Sequence, residues 1–266
     1  DTLQTLEALG LRVLEIPTHP RDGISLDALR FAVRHNDVSA CLVISNFNNP
    51  LGSCIPDDSK RALVKLLAEH EIPLIENDIF GELYFGDSRP SVAKAYDEKG
   101  LVMLCSSFSK SLAPGYRVGW VVPGRFRSTV RWLKYTSSLA APTLSEHAIA
   151  EFMASGSYDP YLRRTRRTYE RHVASMSQSV RRAFPEETKL TRPAGGFVLW
   201  VELPETVDSL QLYDRAQGAG IAITPGYLFS ATDQYRNFIR LNAANWSDEA
   251  DAAIERLGQI IARLSW

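Results

Sequence analysis

The sequence has few cysteines and no pattern of metal ligands. It contains 3 cysteines in 266 residues, no CxxC pair, and 5 scattered histidines. Because a protein metal site needs such ligands at close, regular spacing, the sequence predicts no metal centre. Cys41 and Cys105 lie in apolar strand-like segments, and Cys54 follows a turn. We therefore expect buried free thiols in a reducing compartment, the cytoplasm.

Excess charge and long apolar segments are also missing. The 30 Lys and Arg residues balance 31 Asp and Glu residues, which gives no global signal for nucleic acid or an anionic membrane. No apolar run approaches the ~20 residues of a membrane helix, and no signal-peptide pattern is present. With 45% hydrophobic residues, the composition is typical of a globular protein with one large domain, or a large and a small one.

Predicted strands and helices alternate along the first half of the chain. Short apolar segments bounded by turns are typical of strands covered on both faces, and apolar residues every three or four positions are typical of helices. The predicted strands are 11–17, 40–44, 72–75, 101–105 and 118–123, and the helices are 25–35 and 57–70. This order predicts an α/β fold with a mostly parallel sheet covered by helices.

The pattern changes in the second half of the chain. Residues 125–184 are mainly helical in pattern, and the segments after them mix both types. They are predicted strands at 195–203, 221–223 and 238–242 and predicted helices at 208–219 and 247–264. This mixture indicates a second, smaller α+β unit. We place the boundary near residue 155, which gives a large domain at 1–155 and a small domain at 156–266.

Three polar segments follow the ends of consecutive predicted strands. They are Asn48-Asn49-Pro50, Glu76-Asn77-Asp78 and Ser106 to Lys110. In parallel sheets, ligands bind beyond the carboxyl ends of the strands. We therefore expect these segments to converge on one ligand.

Lys110 is the candidate nucleophile. A free lysine has a pKa near ~10.4 and is a poor nucleophile at neutral pH. Its place near the end of a buried strand, with Arg117 seven residues further on, would lower that pKa through desolvation and like charge. A lysine of this kind is suited to Schiff-base chemistry. Taken alone, Lys110 has a simpler interpretation as a surface lysine in a turn.

The other candidate side chains also have a structural alternative. Ser107, Ser109 and Arg117 offer hydroxyls and a guanidinium, a good set for a phosphate dianion, although serine-rich turns are common. Asp78 at a strand end needs a cation or strong donor, such as a protonated pyridine nitrogen, or else it caps a helix or turn. Asn49 lies in a loop, where asparagine is usually a turn residue.

As a set, these motifs resemble the pyridoxal-phosphate enzymes of the class I aminotransferase family. In chain order they are Asn-Pro-Leu-Gly at 49–52, Asp78 after an apolar strand, Ser-Phe-Ser-Lys at 107–110 and Arg-Val-Gly-Trp at 117–120. The resemblance extends over essentially the whole chain. It implies the fold-type-I architecture, bound pyridoxal 5′-phosphate, an amino acid or amine as small-molecule partner, and a homodimer.

The resemblance implies a role for each residue. Lys110 would form an aldimine with the cofactor and move a proton during transamination of an amino acid with a 2-oxo acid. Asp78 would pair with the pyridinium nitrogen, so that the ring acts as an electron sink, and Asn49 would hydrogen-bond the ring 3-oxygen. The phosphate group would be held by Ser107, Ser109 and Arg117.

Arg240 is the candidate substrate-binding residue. It lies within the apolar segment 238–242 and matches the family's arginine that binds the substrate α-carboxylate. The alternative is a cross-strand salt bridge. Because an arginine inside an apolar strand needs a buried anion, the sequence favours substrate binding.

The sequence departs from the family pattern in two places. Relatives often carry a tyrosine two or three residues after the aspartate, but here those positions are Phe80 and Gly81, and Tyr84 comes later. The loss of that phenol would weaken control of the aldimine. The chain also starts at Asp1 in helix-like sequence, without the family's upstream phosphate-binding turn and stacking aromatic ring. We therefore expect a preceding segment, and weak or no cofactor binding by this piece alone.

Two further segments, THPRDGISLDAL at 18–29 and SNFNNPLGSCIPD at 45–57, give a narrower resemblance. They look like the aminotransferase-like domain of MocR-type regulators, which follows a GntR-type winged helix. This implies an effector domain of a transcriptional regulator, with DNA contacted only through a missing N-terminal domain. A freestanding metabolic aminotransferase remains the alternative. The arginines in 161–167 fall around a helix, which favours a solvated, ion-paired face over a DNA contact.

Overall fold

The computed structural model describes residues 2–232 and 234–265. The helices are α1 (Thr2–Ala8), α2 (Leu26–His35), α3 (Asp57–Glu69), α4 (Arg127–Ser138), α5 (Thr143–Ala154), α6 (Tyr158–Ala183), α7 (Ser209–Gly218) and α8 (Asp248–Leu264). The strands are β1 (Thr18–His19), β2 (Gly23–Ile24), β3 (Cys41–Val43), β4 (Leu74–Asn77), β5 (Val102–Ser107), β6 (Gly119–Val122), β7 (Lys189–Leu190), β8 (Val198–Glu202), β9 (Thr224–Pro225) and β10 (Phe238–Asn242). Short 3-10 helices lie at Gly81–Leu83, Ala93–Tyr96, Pro114–Tyr116, Gly124–Phe126 and Gly226–Phe229. Among these described residues, none of the helices is long and apolar enough to cross a membrane.

The first sheet has the order β3-β4-β5-β6. The strands β3, β4 and β5 are parallel, and β6 is antiparallel to β5. This confirms the predicted α/β class with a mostly parallel sheet. Helix α3 covers the sheet with Leu63, Leu66 and Leu67, which are all buried as their spacing predicted. The carboxyl ends of the three parallel strands therefore point to one edge of the sheet.

Side-chain caps explain where three of the helices begin. Ser25, Asp208 and Ser247 directly precede α2, α7 and α8, and each side chain accepts a hydrogen bond from a backbone N–H of the first turn. Such caps satisfy donors that have no partner inside the helix. The starts of these helices are therefore local properties of the sequence.

The second sheet has the order β7-β8-β10-β9, with antiparallel neighbours throughout. Leu199, Val201 and Ile239 of its central strands are fully buried and pack with apolar side chains of α6, α7 and α8. The predicted boundary at 155/156 falls in the connection between α5 and α6. The division into two domains at that point stays a prediction.

An aromatic cluster joins the two sheets. The ring of Phe47, just after β3, packs in one buried cluster with Phe80 and with Phe197 beside β8. A Cβ added to Gly195 would lie 2.6 Å from the Phe47 ring, so this position needs glycine for the close approach. The cluster brings the loop after β3 next to the small sheet.

Several predictions of strands and burial differ from the structure. Residues 11–17 are irregular, because the segment has no neighbouring strand among the described residues. Leu11 and Leu14 are 54% and 45% exposed there. Residues 221–223 are also irregular, and β9 starts only at Thr224. Alternating apolar residues do not form a strand without a partner strand to receive their backbone hydrogen bonds.

The three cysteines are free, but they are not equally buried. Cys41 is buried, and burial raises the pKa of its thiol to about 12. Cys54 and Cys105 are only half-buried, since Cys54 lies in the polar loop after β3 and Cys105 near the end of β5. The prediction of buried thiols is therefore right for Cys41 alone.

Candidate functional site

The three polar segments lie side by side at the carboxyl ends of β3, β4 and β5. The side-chain amide of Asn46 donates to the Asp78 carboxylate at 2.8 Å. The backbone N–H of Asp78 donates to the carbonyl of Cys105 at 2.8 Å, and the Ser106 hydroxyl donates to the carbonyl of Asp78 at 3.1 Å. The second and third segments thus lie together, and the loop of the first reaches them through Asn46, two residues before Asn48. Convergence of all three segments on one ligand stays a prediction.

Asp78 has a fully buried carboxylate. One oxygen accepts from Asn46, and the other pairs with the guanidinium of Arg89. Burial raises the pKa of the Asp78 carboxyl, and the positive charge of Arg89 and the hydrogen bond from Asn46 oppose that rise. A Cβ added to Gly81 would lie 2.3 Å from the carboxylate, so glycine there lets the backbone approach it closely. These contacts come from side chains, which distinguishes Asp78 from a helix cap.

Ser107, Ser109 and Arg117 lie together just beyond β5. The Ser107 hydroxyl donates to Ser109 Oγ at 2.8 Å, and the backbone N–H of Ser109 donates back to Ser107 Oγ at 2.9 Å. Arg117 donates to Ser109 Oγ at 3.4 Å. Two hydroxyls and a guanidinium are therefore concentrated at one point, as binding of a phosphate dianion would require.

Lys110 lies in the turn that follows Ser109, and its side chain is exposed. The turn is closed by hydrogen bonds from the N–H groups of Leu112 and Ala113 to the carbonyl of Phe108, at 2.8 and 3.0 Å. The desolvation predicted from the buried strand is therefore not found, because the chain leaves the sheet before it reaches Lys110. Within the part of the chain that the structure describes, the Lys110 amine has no hydrogen-bond or ion-pair partner.

Arg240 and Asn49, 191 positions apart in sequence, are in contact. Arg240 Nη1 donates to Asn49 Oδ1 at 3.1 Å, and Nη2 donates to Thr224 Oγ1 on the neighbouring strand β9 at 3.1 Å. Its guanidinium carbon also lies 5.4 Å from the centre of the Phe229 ring. The small sheet therefore brings the predicted substrate arginine to the loop of the large sheet that carries Asn49.

Arg240 has no carboxylate partner among the described residues. Its Nε is buried and has no hydrogen-bond partner there, and burial lowers the pKa of the guanidinium. The alternative of a cross-strand salt bridge is therefore wrong for the described chain. A desolvated cation with an unused donor is suited to receive an anion.

Phe80 and Tyr84 occupy different surroundings. Phe80 is buried, with its ring centre 5.5 Å from that of Phe197, so its position is filled by an apolar core residue. The ring of Tyr84 lies under the guanidinium of Arg166, 4.0 Å from its centre, and Arg166 Nε donates to the carbonyl of Glu82 at 2.9 Å.

The arginine-rich segment 161–167 forms part of α6. Arg163, Arg164 and Arg167 are exposed, as predicted for a solvated face. Ion pairs were also predicted, but among the described residues these arginines form none. Arg166 points inward and contacts the loop after Asp78 through the carbonyl of Glu82. The spacing of charges along one helix does not indicate such a long-range contact.

Three residues near Asp78 were not predicted: Asn46 and Arg89, which contact its carboxylate, and Lys60, which contacts Asn46. Lys60 is fully buried and lies three and seven positions before Leu63 and Leu67, on the apolar face of α3. This spacing was a usable signal, since a lysine on the buried stripe of a helix needs a partner inside the protein. Asn46 and Arg89 carry no comparable signal.

The chain belongs to the aminotransferase class I and II family, whose model matches residues 3–257. It is 40% identical over 263 residues to an uncharacterised HTH-type transcriptional regulator, YjiR, from Escherichia coli K12. That match covers 98% of this chain and 56% of the regulator, so the chain spans about half the length of this relative. It is also 32% identical over 268 residues to 2-aminoadipate transaminase from Thermus thermophilus, covering 98% of this chain and 67% of the enzyme.

A solved structure shares the fold. It is the crystal structure of LysN, an α-aminoadipate aminotransferase from Thermus thermophilus, complexed with N-(5′-phosphopyridoxyl)-L-leucine. The TM-score is 0.92 at 30% identity, and the match covers 98% of this chain and 68% of LysN. The architecture is therefore that of the fold-type-I pyridoxal-phosphate enzymes, as the resemblance implied.

Proposed function

We propose that the chain is a pyridoxal-phosphate-binding aminotransferase domain that transfers an amino group between an amino acid and a 2-oxo acid. The contact between Arg240 and Asn49 carries this proposal. It places a desolvated cation without a carboxylate partner among the described residues 3.1 Å from the loop predicted to hold the cofactor ring. A binding site for a substrate carboxylate beside a cofactor site is what transamination of an amino acid requires.

The residues around β5 fit the cofactor's phosphate and ring nitrogen. Ser107, Ser109 and Arg117 would hold the phosphate through their donor groups. Asp78 would receive the ring nitrogen. A carboxylate has about four lone-pair positions, and Asn46 and Arg89 use one on each oxygen of Asp78, so acceptor capacity remains.

Asn49 fits the ring 3-oxygen. Its Oδ1 accepts from Arg240 at 3.1 Å, which leaves the Nδ2 hydrogens as donors. An amide fixed in this orientation can donate to an anionic oxygen but cannot present its own oxygen to it. The Arg240 contact therefore supports Asn49 as a donor to the cofactor ring.

Lys110 would attach the cofactor through its amine and hold or move a proton at that nitrogen. Its exposure makes the amine accessible to a carbonyl compound. Because the amine has no partner among the described residues, its lone pair is free once it is deprotonated. When bound, the cofactor supplies an electron sink for the bonds at the substrate α-carbon.

We infer further that the domain serves as the effector domain of a MocR-type transcriptional regulator. The identity to YjiR and the share of that regulator that is covered support this role, and DNA would be contacted through another part of such a protein. The identity to 2-aminoadipate transaminase supports the second candidate, a freestanding metabolic aminotransferase. A homodimer, a cytoplasmic location and the domain division at 155/156 are part of the same proposal.

Turnover measurements on the full-length protein separate these roles. Amino-group transfer from a panel of amino acids to a 2-oxo acid, lost in Lys110→Ala and retained in the exposed-lysine control Lys134→Ala, supports the enzyme. Cofactor binding without turnover, together with amino-acid-dependent DNA binding, supports a sensor. Absence of both cofactor binding and turnover contradicts the proposal.

A further inference from the structure

A fully buried lysine lies behind the Asp78 carboxylate. Lys60 in the first turn of α3 has no exposed side-chain surface. Its Nζ donates to Asn46 Oδ1 at 2.8 Å and to the carbonyl of Ser91 at 2.8 Å. Its one ion pair among the described residues, with the 58% exposed Asp57, spans 3.7 Å. A buried ammonium is costly unless nearby groups compensate its charge, so these contacts carry information about its role.

Asn46 links this lysine to Asp78. It is fully buried, and its Oδ1 faces Lys60 while its Nδ2 donates to Asp78 Oδ1 at 2.8 Å. An ammonium has only donors and a carboxylate only acceptors. A reversed amide would place donors against Lys60 and an oxygen against Asp78, so the two charges permit a single orientation.

The Cys54 thiol reinforces the same orientation. Its sulfur lies 3.3 Å from Asn46 Oδ1 and donates to it. Burial raises the pKa of this thiol, so it stays protonated and remains a donor. The oxygen of the amide is thus held by two donors on the side away from Asp78.

We propose that Lys60 is a positioning residue for Asp78: through Asn46, it fixes the carboxylate that would receive the ring nitrogen of the cofactor. This inference rests on the proposed function. The other charged groups facing Asp78 are Arg89 from the loop after it and Glu76 from β4. Neither contacts Asp78 Oδ1, which Asn46 holds. Without Lys60, the Asn46 oxygen keeps only the weaker thiol donor of Cys54, although Nδ2 still donates to Asp78 and, at 3.1 Å, to the carbonyl of Ser91. The amide that donates to Asp78 is then held less firmly.

The test compares Lys60→Met with Lys60→Arg in the full-length protein. The first variant removes the cation at similar length, and the second keeps a cation. We expect Lys60→Met to bind pyridoxal 5′-phosphate about tenfold or more weakly, as for loss of a hydrogen bond to a charged group, and to shift the pH midpoint of the cofactor's visible absorption. Lys60→Arg should recover most of the cofactor affinity and most of the wild-type pH midpoint. Lys65→Met, the same change on the exposed face of α3, should alter neither.

A lower thermal midpoint in Lys60→Met with unchanged cofactor affinity and unchanged pH midpoint would show a purely structural role and overturn the proposal. If Lys60→Met does not fold, Lys60→Leu, which also removes the donors and the charge, takes its place with the same expected weakening and the same contrary result.

A second readout does not depend on the cofactor. The carboxyl ¹³C resonance of Asp78, assigned with Asp78→Asn, is titrated in the cofactor-free protein. We expect the Asp78 titration to move to higher pH in Lys60→Met. If this shift is observed but the wild-type protein binds no pyridoxal phosphate, the positioning role is supported and the proposed function is refuted. An unchanged titration would overturn the positioning role itself.

Discussion

Replacing Arg240 with alanine should remove amino-acid binding while leaving the fold intact. The guanidinium is half-buried and desolvated, and its Nε has no partner among the described residues. An incoming carboxylate would therefore meet an unshielded cation. Removing one partner of a buried charge pair costs about 2–5 kcal/mol, which corresponds to a roughly 30-fold to several-thousandfold weaker affinity.

The same change should have little effect on the cofactor. Asn49 loses one hydrogen bond from Arg240, a loss of about 1 kcal/mol, so cofactor affinity should fall by roughly fivefold at most. Arg240→Lys should be intermediate for amino acids, because it keeps the charge but loses the two-pronged donor geometry. The thermal midpoint of Arg240→Ala should stay the same or rise, since a desolvated cation without an ion pair among the described residues is removed.

The assay is a titration of the cofactor-loaded full-length protein with a panel of amino acids, followed through the cofactor's visible absorption. Arg236→Ala is the matched control, because Arg236 lies four residues before Arg240, has a 72% exposed side chain and pairs with Asp208. Unaltered amino-acid affinity in Arg240→Ala would refute the carboxylate-binding role. Equal losses in both variants would refute it as well.

Two further predictions concern the surroundings of the site. Gly81→Ala should destabilise the protein by about 1–3 kcal/mol, as overpacking does, because the new Cβ would lie 2.3 Å from the Asp78 carboxylate. The control Gly86→Ala, which has open space around it, should cost far less. Equal melting temperatures of the two variants would contradict this prediction. Burial alone would raise the pKa of Asp97, but hydrogen bonds from Lys94 and two backbone N–H groups hold it below its ordinary 3.8. The ionised Asp97 carboxylate therefore stabilises the folded protein above pH 3.8, its ordinary pKa, and this stabilisation is lost as the pH falls through the lower pKa of the folded state. Asp97→Asn should therefore cost about 2 kcal/mol at pH 7, measured by denaturant unfolding, and the gap to wild type should close in acid; a gap independent of pH would contradict the assignment.

Strands and helices were predictable where local chemistry decides them. The segment 238–242 was predicted to the residue as β10, because its apolar pattern coincides with a central position in the small sheet. The helix starting after Ser247 carries its own cap. The segment 11–17 failed because pattern alone does not supply a neighbouring strand.

The site was only partly predictable for a similar reason. The positions of Asp78, Ser107 and Ser109 follow from where strands end, which is a local property. The network around Asp78 joins α3, the loop after β3 and the segment near Ser91. The place of Lys60 on the buried stripe of α3 is a local signal that it needs a partner, but it does not indicate which partner, and Asn46 and Arg89 carry no local signal. The exposure of Lys110 depends on how far the chain leaves the sheet after β5, which apolar content alone does not specify.

Covalent trapping tests the central claim most directly. The full-length protein is incubated with pyridoxal 5′-phosphate, reduced with borohydride, digested and analysed by mass spectrometry. We predict one phosphopyridoxyl group on the peptide that contains Lys110, absent in Lys110→Ala and present in Lys134→Ala. Absence of modification at Lys110, or equal modification of several exposed lysines, would contradict it.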